Sequence, residues 1–199
     1  MFKKSLIIAV FLLLSSAAFR TGGLAVFTDA APSSGNTFTT GTLDIVLSDA
    51  NETEQDAVTA SISYSAMAPG DTVTASVTVK NKGTNDLRYA LSSSATNADT
   101  KGLKDVLSLI IKTVDVTTPG TPCDNFDGTQ LYTGDLDSTA GKLFGDNTQG
   151  AQVGDRSLAV GASEILCFRV SLALSAPNSI QNAATTATFT FDAEQTANN

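Results

Sequence analysis

The chain has 199 residues, 20 acidic against 12 basic side chains, a net charge of −8 and no histidine. The acidic balance disfavours a nucleic-acid partner, because no basic patch is present to replace counterions around phosphates. Without histidine there is no Ser-His-Asp triad, no Cys-His pair and no histidine-ligated zinc, and neither a phosphate loop nor a dinucleotide fingerprint occurs.

Lys3 and Lys4 precede an apolar run from Leu6 to Leu14, extended weakly through Phe19 before Arg20. A transmembrane helix needs about 20 apolar residues, whereas this run has the length of the apolar part of a secretory signal peptide. Gly23 and Ala25 supply the small residues for a cut after Ala25; cuts after Val26 or Ala30, and retention as an uncleaved anchor, are the alternatives. Residues 1–25 are assigned as signal peptide, 26–40 as a separate N-terminal strand segment and 41–199 as the folded domain. Cleavage removes Lys3, Lys4 and Arg20 and no acid, so the charge moves from −8 to −11 and 174 residues remain. That length suits one domain with a full core. The expected product is secreted, in the extracellular matrix or at the cell surface, with no stable membrane insertion after cleavage by a signal peptidase.

The new N-terminus carries two large apolar residues, Phe27 and Phe38, separated by a turn-prone stretch with Pro32, Ser33, Ser34 and Gly35. Such a segment either docks on its own domain as an ordinary first strand or reaches a neighbouring copy. The second reading makes residues 26–40 a donor strand, with Phe27 and Phe38 as anchors.

From residue 43 onward the dominant period is two, the period of a half-buried strand. Leu43, Ile45 and Leu47 open it, Ile62 and Tyr64 follow, and Thr72 to Val79 alternates without error. Ala68-Pro69-Gly70-Asp71 fits a type II turn, and residues 81–86 read as a hairpin-like loop. Leu87, Tyr89 and Leu91, then Leu109 and Ile111, then Leu166 to Leu172, then Ala187 to Ala193 complete the strands. Short helical turns are expected over 99–106 and 178–184. Residues 117–161, rich in Gly, Asp, Thr and Pro, read as one long loop insertion with a small strand at Gln130-Leu131-Tyr132. Seven or eight short strands at these intervals predict an all-β, antiparallel jelly-roll β-sandwich.

Cys123 and Cys167 most simply form one disulfide in an exported chain, two free thiols being the alternative. Asp124-Asn125-Phe126-Asp127-Gly128 has closely spaced oxygen ligands like part of a calcium loop, which makes Asp124 and Asp127 calcium candidates. The segment lacks an EF-hand's closing glutamate, and Asx residues favour plain turns. Asp135 with Asp137, or Asp124 with Asp127, are carboxylate pairs of the kind acid–base chemistry uses, but composition alone accounts for them, and the Ser/Thr strand faces read as solvated surface, binding of ice or sugar being the alternative.

Gly22 to Asp29 followed by Thr37 to Ile45, Pro69-Gly70-Asp71 with Val77 to Leu91, and the closing Thr188 to Gln195 together resemble the TasA/camelysin family. The resemblance implies export through a SipW-type signal peptidase, a jelly-roll domain and a place in extracellular fibres of the kind formed by biofilm-matrix proteins and related archaeal bundling pilins. It implies further that the N-terminal segment of one subunit inserts as a strand into the next, so that the partners are other copies in a head-to-tail filament. Some family members are named metallopeptidases, an activity for which this chain offers no zinc-binding histidine motif. A secreted metallopeptidase and a monomeric matrix adhesin are the competing functions; no cofactor is expected beyond the calcium candidate.

Overall fold

A computed structural model of the chain describes residues 37, 39–59, 61–115, 121–138 and 140–197. They lie almost wholly within one unit, Thr40–Asn199. The assigned signal peptide, Phe27 and Phe38 lie outside the described residues.

The described strands are β1 (Ile45–Ser48), β2 (Thr72–Asn81), β3 (Leu87–Ala95), β4 (Leu107–Lys112), β5 (Gln130–Asp135), β6 (Lys142–Phe144), β7 (Arg156–Leu158), β8 (Ser163–Leu172) and β9 (Ala187–Gln195). A helical turn, α1 (Leu103–Val106), and a 3-10 turn at Asn178–Ile180 stand where helical turns are expected. One sheet runs β1-β2-β8-β4-β5. In the other, β3 has β9 along one edge and the short β6 and β7 in succession along the other. Every described pairing is antiparallel. The expected antiparallel β-sandwich is the architecture observed.

Alternation builds the core. Val77 and Val79 of β2, Leu109 and Ile111 of β4, and Leu166, Phe168 and Leu172 of β8 are buried on the inner face of the first sheet. Leu87, Tyr89 and Leu91 of β3 meet them from the second. Phe168 packs on Phe189 of β9 with ring centroids 5.1 Å apart. Burying each such side chain stabilises the fold by about 1.5–3 kcal/mol.

Four expectations need correction. Ile62 and Tyr64 form no strand: Ile62 packs on the core from an irregular segment, and the Tyr64 ring is half exposed. Leu43 precedes β1 and is exposed, while Ile45 and Leu47 do face the core. Residues 81–86 are an arch between the two sheets, not a hairpin, because β2 pairs with β1 and β8 and never with β3. Residues 117–161 are more than a loop, since they supply β5, β6 and β7.

The arch is held by Asn81, which is fully buried and fully satisfied. Its Nδ2 donates to the carbonyls of Asn85 (2.9 Å) and Leu158 (3.1 Å), and its Oδ1 accepts from the Gly83 N–H (3.0 Å). A second polar clamp joins the sheets. The Tyr89 hydroxyl donates to Glu164 Oε2 at 2.6 Å, and Arg156 Nε donates to both Glu164 oxygens at 2.9 and 2.7 Å.

Burial pushes the Tyr89 phenol well above its ordinary range, and the Glu164 carboxylate adds to the shift. The folded form therefore holds the Tyr89 proton more tightly than the unfolded chain does. The resulting stability is full below the unfolded value near 10 and is lost as pH rises above it. Thermal unfolding measured between pH 9 and pH 11 should show stability falling above pH 10 with a limiting slope of about 1.4 kcal/mol per pH unit from this group. Tyr89→Phe should flatten that decline; an unchanged alkaline limb would refute the assignment.

Candidate functional site

The strand expected to add to another copy needs an edge to receive it, and the described residues offer one. Thr96 N–H donates to Thr186 O, and Thr196 N–H donates to Asp86 O, at either end of the β3–β9 ladder. These two pairs belong to the same regular register, so the even-numbered residues of β9 form the hydrogen-bonded pairs with β3. The odd-numbered ones, Ala187, Phe189, Phe191 and Ala193, direct their N–H and C=O groups away from β3. Among the described residues no strand pairs with that side.

Edge strands are ordinarily blunted by lysine, proline, a bulge or shortness. β9 has no lysine, proline or bulge: it runs nine residues, Ala-Thr-Phe-Thr-Phe-Asp-Ala-Glu-Gln, with no break in register, and its two charges, Asp192 and Glu194, fall in its second half. The two edge strands of the other sheet, β1 and β5, differ. On the outer side of β1, Leu47 exchanges both backbone hydrogen bonds with Gln55, at 2.8 and 2.9 Å. β5 contains Gly134 and pairs with β4 through an irregular register between Ile111 and Lys112.

Phe189 and Phe191 point into the sandwich yet remain only partly buried, as do Ala187 and Ala193. The inner residues of β1 and the start of β2, Ile45, Leu47 and Val73, are partly buried too. A strand added beside β9 would bring apolar side chains alongside Phe189 and Phe191, the arrangement that lets pockets read alternate residues of an incoming strand.

The chain enters the domain at the pole where β9 ends. Thr42 N–H donates to Thr84 Oγ1 (2.8 Å), Thr84 N–H to Thr42 O (3.0 Å), and Lys82 N–H to Asp44 O (2.9 Å). Gly83 is required there by space: a Cβ on it would sit 2.5 Å from Thr42 O and 2.9 Å from the Asp44 nitrogen. Gly83→Val should destabilise the domain by about 1–3 kcal/mol through overpacking. It should also speed amide exchange at Lys82 and Thr84; unchanged exchange at both would show that this root is not held by the arch.

The 145–155 stretch covers the outer face of β3, which is why Arg88 and Ala90 are buried as well as Leu87, Tyr89 and Leu91. Arg88 Nε pairs with Glu194, and the Gly150 N–H donates to the same carboxylate. Asp146 is held down to about 2 by Lys142, with Thr148 contributing.

Cys123 and Cys167 form the disulfide, with 5.5 Å between their Cα atoms, and both are buried. It fastens the 121–128 turn to the outer face of β8. Phe126 is buried beside it, with the Arg169 guanidinium 3.7 Å and the Lys112 ammonium 5.0 Å from the ring centre. Asp124 and Asp127 are exposed in that turn. Asp137 pairs with Lys104 at 3.1 Å, whereas Asp135 ends β5 and has its backbone carbonyl bonded by the Tyr132 hydroxyl.

Among the described residues no group of three or more His, Cys, Asp or Glu side chains is placed to hold a metal ion. With no histidine in the chain and both cysteines oxidised, the donor set does not fit a peptidase zinc.

No curated relative matches the chain. Among solved structures, it is similar to the ASH/PapD-like domain of human CEP192, PapD-like domain 7, at 14% identity and a TM-score of 0.29, over 87% of this chain and 96% of that one. Backbone overlap at that score is slight. The family model described as Peptidase_M73, camelysin metallo-endopeptidase, matches residues 1–199. The match spans the whole sequence, and the chain belongs to the camelysin family.

Proposed function

We propose that this chain is an exported structural subunit of extracellular fibres. Residues 1–25 direct export and are removed by a signal peptidase. Residues 26–40 then add as a strand to the next copy, with Phe27 and Phe38 as anchors. The observation that carries this reading is the regular, unblunted edge of β9. Family membership supports it, since the resemblance to fibre-forming members rests on the same N-terminal and C-terminal segments. An inserted strand pairs backbone groups along the edge while alternate side chains fill apolar space. Contact between unlike surfaces propagates instead of closing.

The processed protein should form filaments visible by electron microscopy. The same protein lacking residues 26–40 should remain a soluble, folded domain that forms none. Filaments from the truncated protein would remove this segment from the mechanism.

The family's name favours a second reading, a secreted metallo-endopeptidase. The donor set described above weighs against it. Casein cleavage by the purified protein that stops on chelation and returns with added zinc would establish it.

A further inference from the structure

Arg88 lies buried beneath the 145–155 stretch, with 9% of its side chain exposed. Its Nε is taken by Glu194, but its Nη2 is buried and donates to nothing among the described residues. A buried donor left without an acceptor costs free energy, so a polar group from outside the chain is called for beside it. Arg88 lines a cleft of about 40 Å³, and that cleft shares Ala90, Asp146, Asn147 and Asp192 with a wider pocket of about 280 Å³. We propose that cleft and pocket together bind a neutral sugar ring on the outer face of β3. This site is independent of the fibre reading: it uses outward side chains, whereas an added strand would use the backbone edge of β9.

Both walls are set by the chain itself. On one side, β9 places Glu194 opposite Arg88 and Asp192 opposite Ala90. On the other, Asp155 ties the 145–155 stretch into shape: its Oδ1 accepts from the Asp146 N–H (2.9 Å) and its Oδ2 from the Gln152 N–H (2.7 Å). Gly145, at φ +67°, lets that stretch lie close on β3, since a Cβ there would stand 2.9 Å from the Ala90 Cβ. A pocket formed in advance loses less ordering entropy when a ligand enters.

Size and charge select the ligand. The wider pocket of about 280 Å³ has room for about ten water-sized groups, the bulk of one sugar ring. Glu194 is paired with Arg88, and Asp146 with Lys142. Asp155 meets backbone N–H groups, and the Asp192 carboxylate has no partner among the described residues. The lining therefore keeps surplus negative charge, which disfavours a uronate, a sulfate or a phosphate. A bare metal ion fits no better: it would leave the Arg88 donor unanswered, and no described group of three acidic side chains is placed to hold one. A hydroxyl both accepts and donates. One ring can accept from Arg88 Nη2 and donate to Asp192, and the small side of the lining at Ala90 and Gly141 leaves it space.

The test is calorimetric titration of the processed protein with neutral trisaccharides of glucose, galactose and mannose, and with a trigalacturonate of the same length. At least one neutral trisaccharide should bind in the millimolar range or tighter, and the trigalacturonate at least about tenfold more weakly. Asp192→Ala removes a charged acceptor and should lower the neutral-sugar affinity at least about tenfold. Ser171→Ala, on the outer face of the other sheet, should leave it unchanged. Amide exchange at Gly145 and Asp146 should slow when the sugar is bound. Failure of all three neutral sugars, equal or tighter binding of the trigalacturonate, or full affinity in Asp192→Ala would each overturn the site. Sugar binding by protein that forms no filaments would leave the site standing while the fibre reading fails, so the two are read separately.

Discussion

Ala193→Pro should weaken filament growth at least tenfold and leave the domain folded. The N–H of Ala193 points away from β3, so proline there removes no bond of the β3–β9 ladder. It deletes a donor on the open side, and its ring stands in the path of an approaching strand. Losing one edge hydrogen bond costs about 0.5–1.5 kcal/mol, and blocking the pairs on either side multiplies the loss. Every 1.4 kcal/mol is about tenfold in an equilibrium constant. The critical concentration for assembly, measured by sedimentation, should therefore rise at least tenfold, with the monomer's unfolding temperature within a few degrees of the parent. Thr190→Pro gives the converse. That N–H bonds to β3, so the substitution should destabilise the monomer itself. Equal effects of both prolines on assembly and on monomer stability would mean that the two sides of β9 are not distinct.

Removing the disulfide should be the most costly change to the domain. Cys123 and Cys167 are 44 residues apart, and cross-linking a loop of that size is worth about 4 kcal/mol in the chain-entropy model. For a domain of this length that corresponds to roughly 10 °C in unfolding temperature. The Cys123→Ala/Cys167→Ala double variant should show this loss in calorimetry. It should also expose Phe126 and Ile165, which pack around the bridge. Because the bridge lies on the outer face of β8 and not at β9, filaments should still form below the lowered transition. An unchanged unfolding temperature would show that the cation-flanked Phe126 holds the 121–128 turn without the bridge.

Period-two patterning made β2, β4 and β9 legible, because each sets core-facing apolar residues against more polar outer ones; β8 keeps the same inner period at Leu166, Phe168, Val170 and Leu172 although the 121–128 turn covers Cys167 on its outer face. β3 carries a weaker signal. Arg88 and Ala90 lie beneath the 145–155 stretch, so both faces are buried and the alternation is blurred. β6 and β7 were missed because three residues cannot display a period. Ile62 and Tyr64 have the right spacing but find no neighbouring strand, so their period signifies nothing. The arch at 81–86 has the turn chemistry of a hairpin; only the pairing of β2 with β8, more than 80 residues away in sequence, makes it a crossing between sheets. The disulfide was readable from two cysteines in an exported chain. The open edge was not, because pairing is a long-range property. What the sequence does contain is the absence of lysine and proline from Ala187 to Gln195. Phe27 and Phe38, the proposed anchors, fall outside the described residues, so their role rests on the sequence and on the edge that would receive them.

Electron cryo-microscopy of filaments grown from processed protein tests the central claim most directly. The account predicts a continuous strand from the neighbouring copy lying along Ala187–Ala193, with large side chains beside Phe189 and Phe191. A bare β9 edge, or one covered by the same copy's own N-terminal segment, would contradict it.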